Sequence, residues 1–109
     1  MKLTMFGLKD NITSEFIFFF QSQNEGTMKR IVKGALLDKQ PNCFTTDLKD
    51  KDVFDLGQID TQTGVIEPIT PLFVCHVSEV RLELIREIKI AKAEAGEEKP
   101  DANEVASDE

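Results

Sequence analysis

The sequence has no tryptophan and no tyrosine, one histidine, two cysteines and four prolines among 109 residues. Each scarcity closes off a class of chemistry. With His76 alone there is no pair of imidazoles at metal-ligand spacing, and Cys43 and Cys75 stand too far apart to form a CxxC pair. His76 is therefore expected to end a strand rather than to hold a metal. No glycine-rich phosphate loop, nucleophile elbow or recognisable Ser, His and Asp set is present. Asp52, Asp55 and Asp60 lie near one another, but acids that flank strands and cap turns need no catalytic role. The expectation is a protein that is not an enzyme and uses no metal and no cofactor. No apolar run approaches the roughly twenty residues that cross a bilayer. The N-terminus lacks the charged, apolar and small-residue order of a secretory signal. A soluble chain that starts folding at Met1, with no membrane partner, is expected. Outside a secretory context the two cysteines are expected to be reduced and to pack as small hydrophobes.

Charge is unevenly placed. The formal net charge is -7, yet from Ala93 onward seven acids (Glu94, Glu97, Glu98, Asp101, Glu104, Asp108 and Glu109) face Lys99 alone, so residues 93–109 carry -6 and the residues before them -1. The acidic balance describes the tail and does not by itself select or exclude an anionic partner for the body. Residues 1–95 read as a single domain and residues 96–109 as a disordered acidic tail with almost nothing apolar to offset chain entropy. That tail is expected to modulate binding by competing with nucleic acid for basic side chains. A body of this size buries roughly two-thirds of its unfolded surface, which leaves little room for a deep substrate cavity.

The clearest local signal is the stretch from Asp52 to Ile69, which reads as a β-hairpin. Val53, Phe54, Leu56 and Ile59 supply one strand, Asp60 to Gly64 the turn, and Val65, Ile66 and Ile69 the return. Gly64 suits the left-handed exit of the turn, and the change of parity between Leu56 and Ile59 places a bulge at Gly57.

Around this hairpin the pattern predicts an α+β fold of β-β-α-β-β order, a small and mostly antiparallel sheet carrying one packed helix. A C-terminal helix follows. Lys2 to Leu8 forms the first strand, turned by Lys9, Asp10 and Asn11. Glu15 to Gln21 forms the second, and its run Phe16, Ile17, Phe18, Phe19, Phe20 predicts a central strand buried on both faces. Core packing is the expected role of these rings; the alternative is an exposed platform for stacked bases. Ser22 and Glu25 have the form of a capping box for a helix to about Asp38, with Met28, Ile31, Val32, Ala35 and Leu36 as its apolar stripe. Lys29, Arg30 and Lys33 fall on the opposite arc, the basic cluster of the body, with Leu37 in its midst and no acid inside it. Lys39 to Lys51 is loop, with Phe44 dipping into the core. Pro68 and Pro71 are expected to stop the ladder, leaving Leu72 to Val77 as a fifth short strand. Ser78 is the expected N-cap of a helix from Glu79 to Ala95. Val77, Val80, Leu84, Ile88 and Ala91 form its stripe. Leu82, Ile85 and Ile90 lie outside that stripe, as they would on a helix buried on more than one side or one that docks a protein partner.

The order of an MKLTMF strand, the Phe19 and Phe20 pair, a helix containing Gly26 and Arg30, and then VFDLGQIDTQTGVI resembles the small nonstructural protein of gokushoviruses, microviruses with single-stranded DNA genomes. Phe54, Leu56, Gly57, Ile59, Asp60, Thr63 and Gly64 carry the most specific part of the likeness, which runs from Met1 to about Leu72. The resemblance implies a phage accessory protein that acts in the cytoplasm of the bacterial host, is absent from the virion, binds DNA and is linked to single-stranded genome synthesis. Arg30 matches a basic position of that family's helix. By elimination among the basic residues, DNA binding falls to Lys29, Arg30 and Lys33, with Lys9 or Lys2 contributing only if the first strand lies beside that helix. Three phosphate contacts predict weak binding of a single strand per monomer. A homodimer would double that surface. The alternative reading is an interaction module that docks onto a host or viral replication or assembly protein through Leu82, Ile85 and Ile90.

Overall fold

The computed structural model describes residues 1–95. The expectations for the acidic tail concern residues 96–109, which lie outside them. The elements are β1 (Lys2–Asp10), β2 (Glu15–Ser22), α1 (Glu25–Leu36), a 3-10 turn (Leu48–Asp50), β3 (Lys51–Asp60), β4 (Ile66–His76) and α2 (Val77–Glu94). All strand pairs are antiparallel, in the order β2-β1-β3-β4. The expected α+β class and the β-β-α-β-β order stand.

Directly opposed residues of an antiparallel sheet share a face, so the register divides the side chains. Phe18, Leu8, Val53 and Cys75 line up across the four strands on one face. That face is the core. Leu8, Val53 and Cys75 are buried against Met28 and Val32 of α1, Phe44 of the loop, and Val77 and Val80 of α2. Each fully buried side chain of this size contributes about 1.5–3 kcal/mol. Phe44 meets Phe18 and Phe20 edge to face at 5.7 and 5.9 Å, as its expected dip into the core requires. Asn42 holds it there by accepting from the Phe44 backbone N–H and donating to the Ala35 carbonyl at the end of α1.

The hairpin turns where its residues predict. Gly64 has φ +76°, and the Gly64 N–H closes the turn onto the Asp60 carbonyl. Gly57 has φ +128°, and both β1 and β4 shift register beside it. A Cβ there would stand 2.2 Å from the Glu67 carbonyl oxygen, so backbone angle and close approach both require glycine.

Four expectations are corrected. β2 is an edge strand, not a central one, because β1 pairs with both β2 and β3. Of its apolar run only Phe20 is buried. Ser22 is the last residue of β2, and Asn24 caps α1 instead: its side chain accepts from the Thr27 N–H at 2.9 Å. Pro68 and Pro71 do not end the strand, since β4 runs through both as the opposite edge strand, but the ladder shifts between Asp55 and Gly57 and leaves Ile69, Thr70 and Pro71 out of the pairing with β3. The fifth strand is thus the end of β4. α2 starts at Val77, with His76 as N-cap; the His76 N–H donates to the Glu79 carboxylate at 3.3 Å. Among the described residues no helix is long and apolar enough to cross a membrane.

Candidate nucleic-acid interface

The face of the sheet turned away from the helices is built from the same strands at the alternate parity. Phe19, Gly7, Phe54 and Phe73 oppose one another across β2, β1, β3 and β4. Gly7 leaves a gap in this row, and Phe16 fills it. A bulge between Leu8 and Lys9 on the β1–β2 ladder turns Phe16 to this face, so that it pairs with Lys9. The rings form a continuous chain: Phe19 to Phe16 at 6.3 Å, Phe16 to Phe54 at 5.5 Å, Phe54 to Phe73 at 5.9 Å and Phe73 to His76 at 4.9 Å. Phe19 is 57% exposed and Phe73 46%, while Phe16 and Phe54 are half-buried between them. Lys9 Nζ stands 5.6 Å from the Phe54 centroid and 6.0 Å from that of Phe16, within cation–π range.

At the β4 end of the row, His76 Nδ1 lies 2.6 Å from Asp52 Oδ1, and Asn11 Nδ2 donates to Asp52 Oδ2 at 2.8 Å. The hydrogen bond to Asp52 raises the His76 pKa above its ordinary value. Besides Asp52, His76 has ring contact with Phe73. Cys75 is buried on the other face, and burial pushes its thiol up to about 11, which keeps it a packed thiol at neutral pH. Both cysteines are free. Among the described residues no group of three His, Cys, Asp or Glu side chains could hold a metal ion.

The basic arc of α1 faces α2. Lys33 Nζ lies 2.8 Å from Glu87 and 3.3 Å from Glu83, and Lys29 Nζ lies 3.5 Å from Glu83 and 3.6 Å from Glu25. The acids that meet these lysines come mostly from a helix 54 residues away in sequence. The hydrogen bond from Lys33 and the nearby Lys29 lower the Glu83 pKa, while the hydrogen bond to Glu87 raises that of Lys33. Arg30 is exposed on the outer side of α1. Lys2 pairs with Glu67 at 3.1 Å, and Lys9 belongs to the aromatic face rather than to α1. A phosphate bound at Lys29 and Lys33 would have to displace carboxylates already in place.

On α2, Leu82 is 51% and Ile90 56% exposed, and Ile85 is half-buried. Ile85 does not join the other two. It lines an open cleft of about 430 Å³ with Leu36, Leu37, Leu48, Leu84 and Ile88. A stacking platform is the alternative role of the Phe16 to Phe20 run; that Phe16 and Phe19 continue into Phe54 and Phe73 is not legible in the sequence, because it depends on register and on two bulges.

The model of one protein family, described as Phage ORF5 protein, matches residues 3–80. The match covers the sheet and α1 and runs past Leu72 into the first turn of α2. No curated protein and no solved structure matches the chain.

Proposed function

The chain belongs to the Phage ORF5 protein family, and from that premise we propose that it is a non-catalytic, nonstructural accessory protein that binds single-stranded DNA during genome synthesis. The resemblance of its hairpin to that of gokushoviruses supports a virus of the Microviridae, action in the host cytoplasm and absence from the virion. The observation that carries the DNA-binding reading is the row Phe19, Phe16, Phe54 and Phe73 on the uncovered face, with Lys9 over it. Bases stack on exposed rings at about 1–3 kcal/mol each, and every base offers a π-face, so recognition by such a row tolerates sequence. Duplex DNA keeps its bases stacked on one another and presents none to the rings. Among the described residues no acid is ion-paired with Lys9, so it can meet a phosphate without displacing one, in contrast to Lys29 and Lys33. Arg30 adds a long-range positive charge on α1.

Fluorescence anisotropy with a labelled single strand across a salt series tests this reading. One neutralised phosphate gives a slope of roughly -0.7 in log affinity against log salt, whereas three would give roughly -2. The expected result is a shallow slope, loss of affinity in Phe19→Ala with Phe73→Ala, and near-normal binding by the Lys29→Glu, Arg30→Glu, Lys33→Glu triple variant. A steep slope abolished by the triple variant would return the site to α1.

The cleft beside Ile85 supports a second reading, docking onto a host or viral replication or assembly protein. Absence of any single-strand binding at low salt would favour it.

A further inference from the structure

The two edges of the sheet are protected to different degrees. Edge strands expose unpaired backbone donors and acceptors, and proteins blunt them with prolines, charges and bulges. β4 has all three: Pro68 and Pro71 lack the N–H, Glu67 pairs with Lys2, and the ladder to β3 shifts register twice. β2 has a bulge near its start, but from Phe16 to Gln23 it carries no proline, no glycine and no charge. Ile17, Phe18 and Phe19 are each more than 40% exposed, with side chains on both faces of the sheet.

The helix beside this edge is neutral where it overhangs it. Lys29 and Lys33 turn toward α2 to meet Glu83 and Glu87. At 100° per residue the opposite flank of α1 presents Thr27, Ile31 and Gly34, and Ile31 is 42% exposed. Ile17, Phe18 and Phe19 are the exposed apolar residues of this edge, and Ile31 is the exposed apolar residue on the flank of α1 turned away from α2.

We infer that the β2 edge is a self-recognition margin, on which a second copy of the chain adds its own β2 antiparallel about a two-fold axis and joins the two sheets into one. A two-fold contact sets a surface against itself, so it must be self-complementary. The margin meets that condition. A neutral strand opposes a neutral strand, and Glu15 lies at the far end of the ladder from its counterpart. Ile31 of each copy sits above the joint. An unrelated partner strand would need no such symmetry of charge. The inference is independent of the DNA-binding reading, though pairing would also bring the two Phe19 rings near one another and lengthen the aromatic row.

Sedimentation equilibrium of the full chain, with Ile17→Lys, Ile31→Lys and the control Leu82→Lys, tests it. Thermal melts establish that each variant is folded. The expected result is a wild-type dimer, association weakened at least about a hundredfold toward monomer by Ile17→Lys and by Ile31→Lys, and a dimer retained in Leu82→Lys. Amides of Phe18 to Gln21 should also gain exchange protection as wild-type concentration rises. A wild-type monomer at every concentration, a dimer broken by Leu82→Lys but not by Ile17→Lys, or exchange at β2 independent of concentration would each overturn the inference.

Discussion

Phe16 of β2 and Phe54 of β3 meet edge to face, 5.5 Å between centroids, across a strand that runs between them. They can do so because β1 places Gly7 beneath the contact. A Cβ at Gly7 would stand 2.9 Å from Phe16 Cδ1 and 2.7 Å from Leu56 Cδ1. The open face is thus held together by the absence of one side chain.

Gly7→Ala should push Phe16 and Leu56 away from the strand and destabilise the protein by about 1–3 kcal/mol, the usual cost of overpacking. Gly34→Ala is the matched control. It meets nothing within 4 Å on the exposed side of α1, and should stabilise by about 0.5–1 kcal/mol. Denaturant midpoints at unchanged slope would read both.

The ion pairs between α1 and α2 predict an acid limb. Glu83 has a folded pKa below its ordinary value, chiefly from the Lys33 hydrogen bond, so its contribution is present above the unfolded pKa and is lost as pH falls through the folded one. Glu83 is partly exposed, and solvent screening limits the pair to about 0.2–1 kcal/mol. Thermal melts of Glu83→Gln should differ from wild type at neutral pH, converge with it in acid, and differ less in high salt.

His76 should titrate above the usual histidine range because it is hydrogen-bonded to Asp52. Its stabilising contribution is fully present below the unfolded pKa and fades as pH rises through the folded one. An NMR titration of the imidazole should show the raised midpoint in wild type and a return toward about 6.5 in Asp52→Asn. An unchanged midpoint in the variant would remove Asp52 as the cause.

Local chemistry made the hairpin legible: Asp60, Gly64 and Gly57 each impose a backbone conformation that neighbours in sequence reveal. The place of β2 was not legible in that way. A run of five apolar residues suits a central strand as well as an edge that is covered on one face and apolar on the other. What decides is that β1 pairs on both sides, a fact distributed over sixty residues. Pro68 and Pro71 misled only in part: the pairing shifts between them, but at an edge the strand continues. Lys29 and Lys33 read as a basic cluster with no acid inside it because Glu83 and Glu87 lie 54 residues on. The basic cluster was visible in the sequence; its neutralisation belongs to the tertiary fold.

The central claim is that the uncovered aromatic face, rather than the basic arc of α1, receives the bases of a single strand. Amide and aromatic NMR shift mapping of the full chain titrated with oligothymidylate tests it most directly. The account predicts shifts concentrated at Lys9, Phe16, Phe19, Phe54 and Phe73, upfield for ring protons under stacked bases, with Lys29 and Lys33 little changed. Shifts confined to α1 around Lys29, Arg30 and Lys33, or no shifts at any residue at low salt, would contradict it.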